Sequence, residues 1–466
     1  FKIVKQDAET GKTIPYAGAG FKIYDPDGNP VTMTFTYPTS TNIDVFYTDD
    51  EGSLITPEKL PYGRGYSIVE VQAPYGYVLD ETPIYFDVTQ ENSIEESGVT
   101  IIKVNKKNFA QKGTIAVEKT GEVFFGVSVS GGIDESGNEL PIIYQPQYEK
   151  RGLPGAVYEI VAAEDIITPD GTVRNHKGDV VDTIITDENG IAMSCELYLG
   201  EYEVREVTAP NGMVLNPESC FVELVYAGQN VAVTETATSF ENERQKVEIS
   251  LAKSIEQNER FDIGTNGEMK NITFGLFSAE EIVSTSGTFI PADGLIEIVS
   301  LNEDGTATIK TDLPYGRYYV QELATDSHYK LSDAKYPIIF EYVGQDTAVV
   351  KIAVNDGKAI KNDLIYGSVS GKKVDEDGNA LGGVMIGLFR TDDGEFTKEN
   401  ALMTTTSAKD GSFSFENIPC GTWYVREIEQ PTGFVLDDTI YPVTIGTDGQ
   451  VVEIEIVNEY GRGNIH

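Results

Sequence analysis

The sequence predicts an all-β chain of four β-sandwich domains in tandem. Three observations carry this reading: one strand-and-turn element recurs four times, short apolar strands alternate with glycine and proline turns, and long helical periodicity is missing. At 466 residues the chain exceeds what one hydrophobic core can organise. An apolar fraction of 40% is enough to fill several folded cores.

The recurring element is Tyr66-Ser-Ile-Val-Glu70, Tyr202-Glu-Val-Arg-Glu206, Tyr318-Tyr-Val-Gln-Glu322 and Trp423-Tyr-Val-Arg-Glu427. On a strand, alternate residues share a face. The aromatic residue, the middle residue (Ile68, Val204, Val320, Val425) and the glutamate therefore point together into the apolar side. That places a carboxyl group inside each domain. A tight turn precedes each strand, as in Leu60-Pro61-Tyr62-Gly63 and Leu313-Pro314-Tyr315-Gly316. Upstream lie turns ending in glycine, at Gly52, Gly190, Gly305 and Gly411, where positive φ is expected. After the glutamate, three copies turn again, at Ala73-Pro74-Tyr75-Gly76, Ala209-Pro210-Asn211-Gly212 and Gln430-Pro431-Thr432-Gly433.

A second element marks the junctions. Asn108 precedes Lys119, Asn242 precedes Lys253 and Asn362 precedes Lys373, each by eleven residues. Lys5 opens the series and Asn458 closes it. Each domain thus begins on a lysine-bearing strand and ends on an asparagine-bearing one, with domains at 1–108, 109–243, 244–363 and 364–466. Short linkers predict an elongated rod. The second domain carries an insertion between Gly121 and Gly152, expected to be a surface loop elaboration without chemistry.

Strands reading Ile3-Val4-Lys5-Gln6-Asp7 and Val117-Glu118-Lys119-Thr120, followed by Tyr-x-x-x-Glu-x-x-Ala-Pro-x-Gly, resemble the Cna-B-like repeats (B-type repeats of collagen adhesin) of Gram-positive surface adhesins and pilins. The resemblance covers essentially the whole chain. It implies an Ig-like, prealbumin-like sandwich with a spontaneous Lys–Asn isopeptide bond assisted by the glutamate. By position the sets are Lys5, Glu70, Asn108; Lys119, Glu206, Asn242; Lys253, Glu322, Asn362; and Lys373, Glu427, Asn458. Asn105 competes with Asn108, and Lys372 with Lys373. Asn355 competes with Asn362 in the third domain, which also lacks the Pro-x-Gly turn after its glutamate. The residue types suit the chemistry: burial disfavours both charged forms, leaving a nucleophilic amine and an acid able to polarise the amide. An unreacted, hydrogen-bonded buried pair is the alternative state of the same residues.

The remaining features narrow the function. A formal net charge of −40 opposes nucleic acid and anionic membranes. No segment approaches the ~18 apolar residues of a membrane span. The three cysteines, Cys195, Cys220 and Cys420, do not make a disulfide framework; for Cys195 and Cys220, pairing and buried free thiols both stand. Asp25-Pro-Asp27-Gly28-Asn29 and Asp375-Glu-Asp377-Gly378-Asn379 lack the later bidentate acid of a calcium loop and read as hairpin turns. His176, His328 and His466 are too scattered for zinc. No metal, cofactor or enzymatic turnover of a substrate is expected. The expected role is a structural stalk, extracellular and cell-wall anchored, and the chain reads as an excised ectodomain without its signal peptide or anchor. Expected partners are neighbouring subunits in a pilin, or a host extracellular protein or glycan in an adhesive module. With no pilin-type lysine motif evident, the reading leans towards an adhesin stalk.

Overall fold

The computed structural model describes residues 1–36, 38–133, 136–429 and 431–462. Gln430 and His466 lie outside the described residues. Among those described there is no α-helix; two short 3-10 segments, Glu268–Asn271 and Val354–Gly357, interrupt an otherwise all-β chain. Among the described residues no helix is long and apolar enough to cross a membrane.

Four sandwiches share one plan. In the first, Lys2–Asp7 runs parallel to Lys103–Asn108 and antiparallel to Ser53–Ile55. The facing sheet has the order Phe46–Tyr47, Gly20–Tyr24, Gly63–Gln72, Ile84–Val88. The other three repeat the parallel pairing of lysine strand with asparagine strand: Lys112–Ile133 with Val233–Asn242, Lys246–Ile255 with Val349–Ala353 and Ile360–Asn362, and Tyr366–Asp375 with Val451–Asn458. Their glutamate strands, Gly200–Thr208, Gly316–Ala324 and Gly421–Glu429, lie inside the four-stranded facing sheets. Because the paired strands are parallel, the chain enters each sandwich at one end and leaves at the other.

Alternation builds the cores. Tyr66, Ile68 and Glu70 are buried together, as are Tyr202, Val204 and Glu206, Tyr318, Val320 and Glu322, and Trp423, Val425 and Glu427. The aromatic residue keeps a polar tip that needs a partner inside. Tyr66 Oη donates to Pro61 O (3.0 Å), Tyr202 Oη to Tyr198 O (2.7 Å), Tyr318 Oη to Pro314 O (2.5 Å) and Trp423 Nε1 to Pro419 O (2.8 Å). Each bond reaches back to the turn before the strand, fixing where the strand begins.

The described residues form two compact units. The first comprises 1–123, 149–245 and 344–348, and the second 124–148, 246–343 and 349–466. The first unit holds the cores of sandwiches one and two. The second unit holds those of sandwiches three and four, where Phe261 meets Trp423 edge-on with ring centroids 4.8 Å apart.

The insertion at 121–152 is not the surface loop expected from its sequence. Lys112–Ile133 and Glu139–Gly152 are long paired strands. In the second unit, their residues Phe124, Val127 and Tyr144 pack on the third core. Val127 N donates to Thr288 Oγ1 and Ser286 N to Phe125 O, each at 3.0 Å. Alternating apolar residues on this stretch cover a neighbour's core, and that is why the insertion is ordered as strand.

Tyr202→Phe removes one buried donor while leaving the ring in place. The expected result is a loss of about 1 kcal/mol, read as a lower denaturant midpoint with an unchanged slope.

Candidate functional site

Strand register brings the lysine and asparagine together. In each parallel pair the asparagine lies opposite the residue two beyond the lysine: Asp7 faces Asn108, Gly121 faces Asn242, Ile255 faces Asn362 and Asp375 faces Asn458. Residues two apart share a face, so lysine and asparagine are diagonal neighbours on the inner surface. The glutamate arrives from the opposite sheet, with Glu70, Glu206, Glu322 and Glu427 opposite Phe21, Tyr158, Phe274 and Ile386. Immediately beyond each of these pairs the register shifts by one residue. The bulge makes Val71, Val207, Leu323 or Ile428 the extra residue and ends the regular ladder beside the carboxyl group.

The lysine backbone is held by the glycine turn. Lys5, Lys119, Lys253 and Lys373 donate their backbone N–H groups to Gly52, Gly190, Gly305 and Gly411, at 2.9, 2.7, 2.8 and 2.7 Å. At Gly190, φ is +81° and a Cβ would lie 2.3 Å from Lys119 O. Both conformation and space demand glycine there.

All twelve side chains meet in sets of three. Lys5 and Glu70 are fully buried, and Lys5 Nζ lies 2.7 Å from Glu70 Oε1 and contacts Asn108 Oδ1. Asn108 Nδ2 donates to Glu70 Oε2 (2.7 Å) and to Val78 O (2.6 Å). In sandwich two, Lys119 Nζ is 2.9 Å from Glu206 Oε1 and contacts Asn242 Oδ1. Asn242 Nδ2 donates to Glu206 Oε2 at 2.9 Å. In sandwich four, Lys373 Nζ is 3.0 Å from Glu427 Oε2, and Asn458 Nδ2 donates to Glu427 Oε1 (3.1 Å) and Val435 O (2.6 Å). The carboxylate is itself steadied by a main-chain N–H: Asp80 N to Glu70 (3.1 Å), Asn216 N to Glu206 (2.8 Å) and Ser332 N to Glu322 (3.0 Å).

Sandwich three is looser. Lys253 Nζ stands 3.6 Å from Glu322 Oε1, and Asn362 Nδ2 takes an additional acceptor, Thr325 Oγ1 at 3.0 Å. Its last strand is broken by Val354–Gly357, which inserts four residues between the pairings Ser250–Ala353 and Lys253–Ile360.

The rivals read from the sequence fall elsewhere. Asn105 and Lys372 are exposed. Asn355 sits in the inserted turn at φ 54°, its side chain donating to Lys358 O. The structure adds Lys106, which is buried in sandwich one with its Nζ 2.8 Å from both Asp80 Oδ2 and Thr82 O. Strand alternation counted back from Asn108 is the signal that could have found it.

Burial governs the electrostatics. Desolvation lowers the Lys5 pKa to about 8 against the opposing pull of Glu70. Burial likewise lowers Lys119, Lys253 and Lys373, each partly offset by its glutamate. Burial raises the Glu427 carboxyl, against hydrogen bonds from Lys373 and Asn458. In sandwich four both partners are thus pushed towards their neutral forms, an amine and a carboxylic acid.

The three cysteines are free, and Cys195 is exposed rather than buried. Asp25 and Asp375 accept main-chain N–H groups from two and four residues ahead, as Asx turns do. Among the described residues no cluster of three or more acidic, histidine or cysteine side chains could hold a metal.

Comparison with known proteins gives one family, described as SpaA, prealbumin-like fold domain, which matches residues 1–103, 142–238, 257–358 and 367–460. No curated protein matches the chain in sequence. Among solved structures, the Bacillus anthracis TIE protein is 15% identical, with a TM-score of 0.51 over 98% of this chain and 73% of that one. BcpA, the major pilin subunit of Bacillus cereus, is 15% identical over 75% of this chain and all of its own, with a TM-score of 0.32. The major pilin SpaD of Corynebacterium diphtheriae is 15% identical over 76% of this chain and 98% of its own, with a TM-score of 0.21. At 15% identity the likeness to the TIE protein concerns the fold alone.

Gly190→Ala is expected to destabilise sandwich two by about 1–3 kcal/mol and to displace the Lys119 backbone, measured by denaturant unfolding and by backbone amide shifts around Lys119.

Proposed function

The chain belongs to the SpaA prealbumin-like fold domain family, and from that premise we propose that it is a structural stalk of a Gram-positive surface adhesin or pilin, each sandwich closed by an autocatalytic Lys–Asn isopeptide bond. The observation that carries the proposal is the repetition of one buried contact set, lysine with glutamate with asparagine, in all four sandwiches.

The chemistry balances within each set. A proton moves from the lysine ammonium to the glutamate, leaving an amine and a carboxylic acid. The amine nitrogen attacks the asparagine Cγ while the acid polarises the carbonyl. The new C–N bond forms as the bond to Nδ2 breaks; the glutamate relays two protons, one from the ammonium and one from the attacking nitrogen, and Nδ2 leaves as ammonia that carries off the second as ammonium. The pocket is buried, and in sandwiches one and two the strands hold the lysine against the carboxamide, so proximity would supply much of the acceleration. The glutamate ends as it began and the lysine is consumed, so the reaction runs once per domain and acts on no external substrate.

Position turns the bond into a mechanical device. In sandwich one it would join residues 103 apart, near the ends of the first and last strands. Tension entering at the first strand would cross to the last strand through a covalent link, and the intervening sandwich would carry little load. A cross-link closing a loop of that length is worth nominally about 4–5 kcal/mol through the denatured state. Slower unfolding under shear and proteolysis would be the larger gain. Extracellular, cell-wall-anchored placement, with neighbouring subunits as partners, fits this role. The alternative of a host-protein or glycan site on the 121–152 insertion is less favoured, because its residues Phe124, Val127 and Tyr144 are used in packing.

Each completed bond releases ammonia, so intact mass is expected to fall about 17 Da per bond below the value calculated from sequence. Glu70→Ala, Glu206→Ala and Glu427→Ala should each restore one step. Sandwich three, with its 3.6 Å Lys253–Glu322 separation, is expected to react last. A mass equal to the calculated value would contradict the proposal.

Condensation in sandwich one requires the Lys5–Glu70 pair to hold one shared proton, which it loses as pH rises through the Lys5 value of about 8. Its rate should therefore be nearly flat below that value and fall about tenfold per pH unit above it. Time-resolved mapping of the Lys5–Asn108 peptide at several pH values checks the sign; a rate climbing about tenfold per unit from pH 6 to 8 and continuing level above it would contradict it.

A further inference from the structure

Two glutamines recur at the ends of the site in a pattern that the condensation scheme does not use. In sandwich one, the bulge residue Val71 and the following Ala73 leave the glutamate strand. Both are bonded by Gln229 of the next sandwich: Oε1 accepts from Ala73 N at 2.9 Å, and Nε2 donates to Val71 O at 3.4 Å. Gln345 does the same one sandwich later, accepting from Ala209 N at 2.9 Å and donating to Val207 O at 3.5 Å. Val71 and Val207 directly follow Glu70 and Glu206.

The loop that carries each glutamine also holds the linker just past the asparagine strand. Gln111, three residues past Asn108, accepts from Ala227 N (2.8 Å) and donates to Gly228 O (2.9 Å). Gln245, three residues past Asn242, donates to Gly344 O (3.1 Å) and Thr347 O (2.7 Å). Gln111 and Gln245 are 1% exposed, so these bonds form away from water, where losing one is costly. One loop of the following sandwich thus holds the glutamate strand at its bulge and the linker three residues past the asparagine. The position three past Asn362 is Ile365, and the glutamine tie is missing from that junction. All residues of both ties belong to the first compact unit.

We propose that Gln229 and Gln345 are positioning residues for the condensation in the sandwich that precedes each of them, so that sandwiches one and two complete their bonds only after the next sandwich has folded and docked its loop. The inference rests on the isopeptide reading above. Without the tie, the bulge beside the glutamate is free to shift, and a reacting group displaced by about an ångström loses on the order of a hundredfold in rate. Sandwiches three and four lack the tie and serve as internal controls.

The test uses the full chain, pulse-synthesised in a cell-free reaction and followed by peptide mapping of the Lys5–Asn108, Lys119–Asn242 and Lys373–Asn458 cross-links over time. Gln229→Ala is expected to slow the first bond by about tenfold or more and leave the second unchanged, and Gln345→Ala to slow the second and spare the first. A merely structural role would act in the sandwich where the glutamine resides, slowing the second bond in Gln229→Ala. That pattern, or wild-type rates throughout, overturns the proposal. Gln229→Glu keeps the acceptor for Ala73 N and is expected to recover much of the rate, and it carries the same test if the alanine variant folds poorly. An unsubstituted chain that forms no cross-link would instead overturn the condensation itself, a result distinct from cross-links indifferent to Gln229.

Discussion

A lysine ammonium and a glutamate carboxylate placed in an apolar sandwich dominate this structure. Removing two charges from water costs several kcal/mol for each ion, and only close pairing and full hydrogen bonding offset it. Each set makes the pairing: the lysine meets the carboxylate, the asparagine amide donates to it, and in the first three sandwiches a main-chain N–H steadies it. What would be a liability in an ordinary core would, under the proposed chemistry, become reactive when the third member is an electrophilic carboxamide. Condensation would convert the buried ammonium to a neutral amide and remove one of the two charges for good.

The rest of the fold serves that contact. Parallel pairing of first and last strands puts lysine and asparagine on one inner face with a constant two-residue offset. The glycine turn pins the lysine backbone, the aromatic tip pins the start of the glutamate strand, and the bulge ends that strand's ladder beside the carboxyl. The same parallel pairing separates the points where the chain enters and leaves. A link between the first and last strands would lie in the path of the load, so the proposed chemistry and mechanics rest on one choice of topology.

Much of this was legible in the sequence because it is periodic. Alternation in Tyr66-Ser-Ile-Val-Glu70 and its three counterparts put a carboxyl inside, and the eleven-residue spacing from asparagine to lysine marked the junctions. What stayed hidden depends on partners distant in the chain. Alternation back from Asn108 puts Lys106 on the inner face, but its partners Asp80 and Thr82 lie on a distant segment that the pattern does not reveal. The 121–152 insertion reads as a loop until the core that Phe124, Val127 and Tyr144 cover is known. Gln111 and Gln245 look like surface residues of a linker; only the folded chain puts a loop of the next sandwich over them. The four-residue break at Val354–Gly357 was masked because the junction spacing counts from Asn362, beyond the break.

The claim that buried lysine and asparagine are covalently joined can be read directly from electron density at atomic resolution. The account predicts continuous density between Nζ of Lys119 and Cγ of Asn242 at a separation of about 1.3 Å, planar as an amide, with no Nδ2 atom left. Separate side chains at hydrogen-bonding distance, with the carboxamide intact in sandwiches one, two and four, would contradict it.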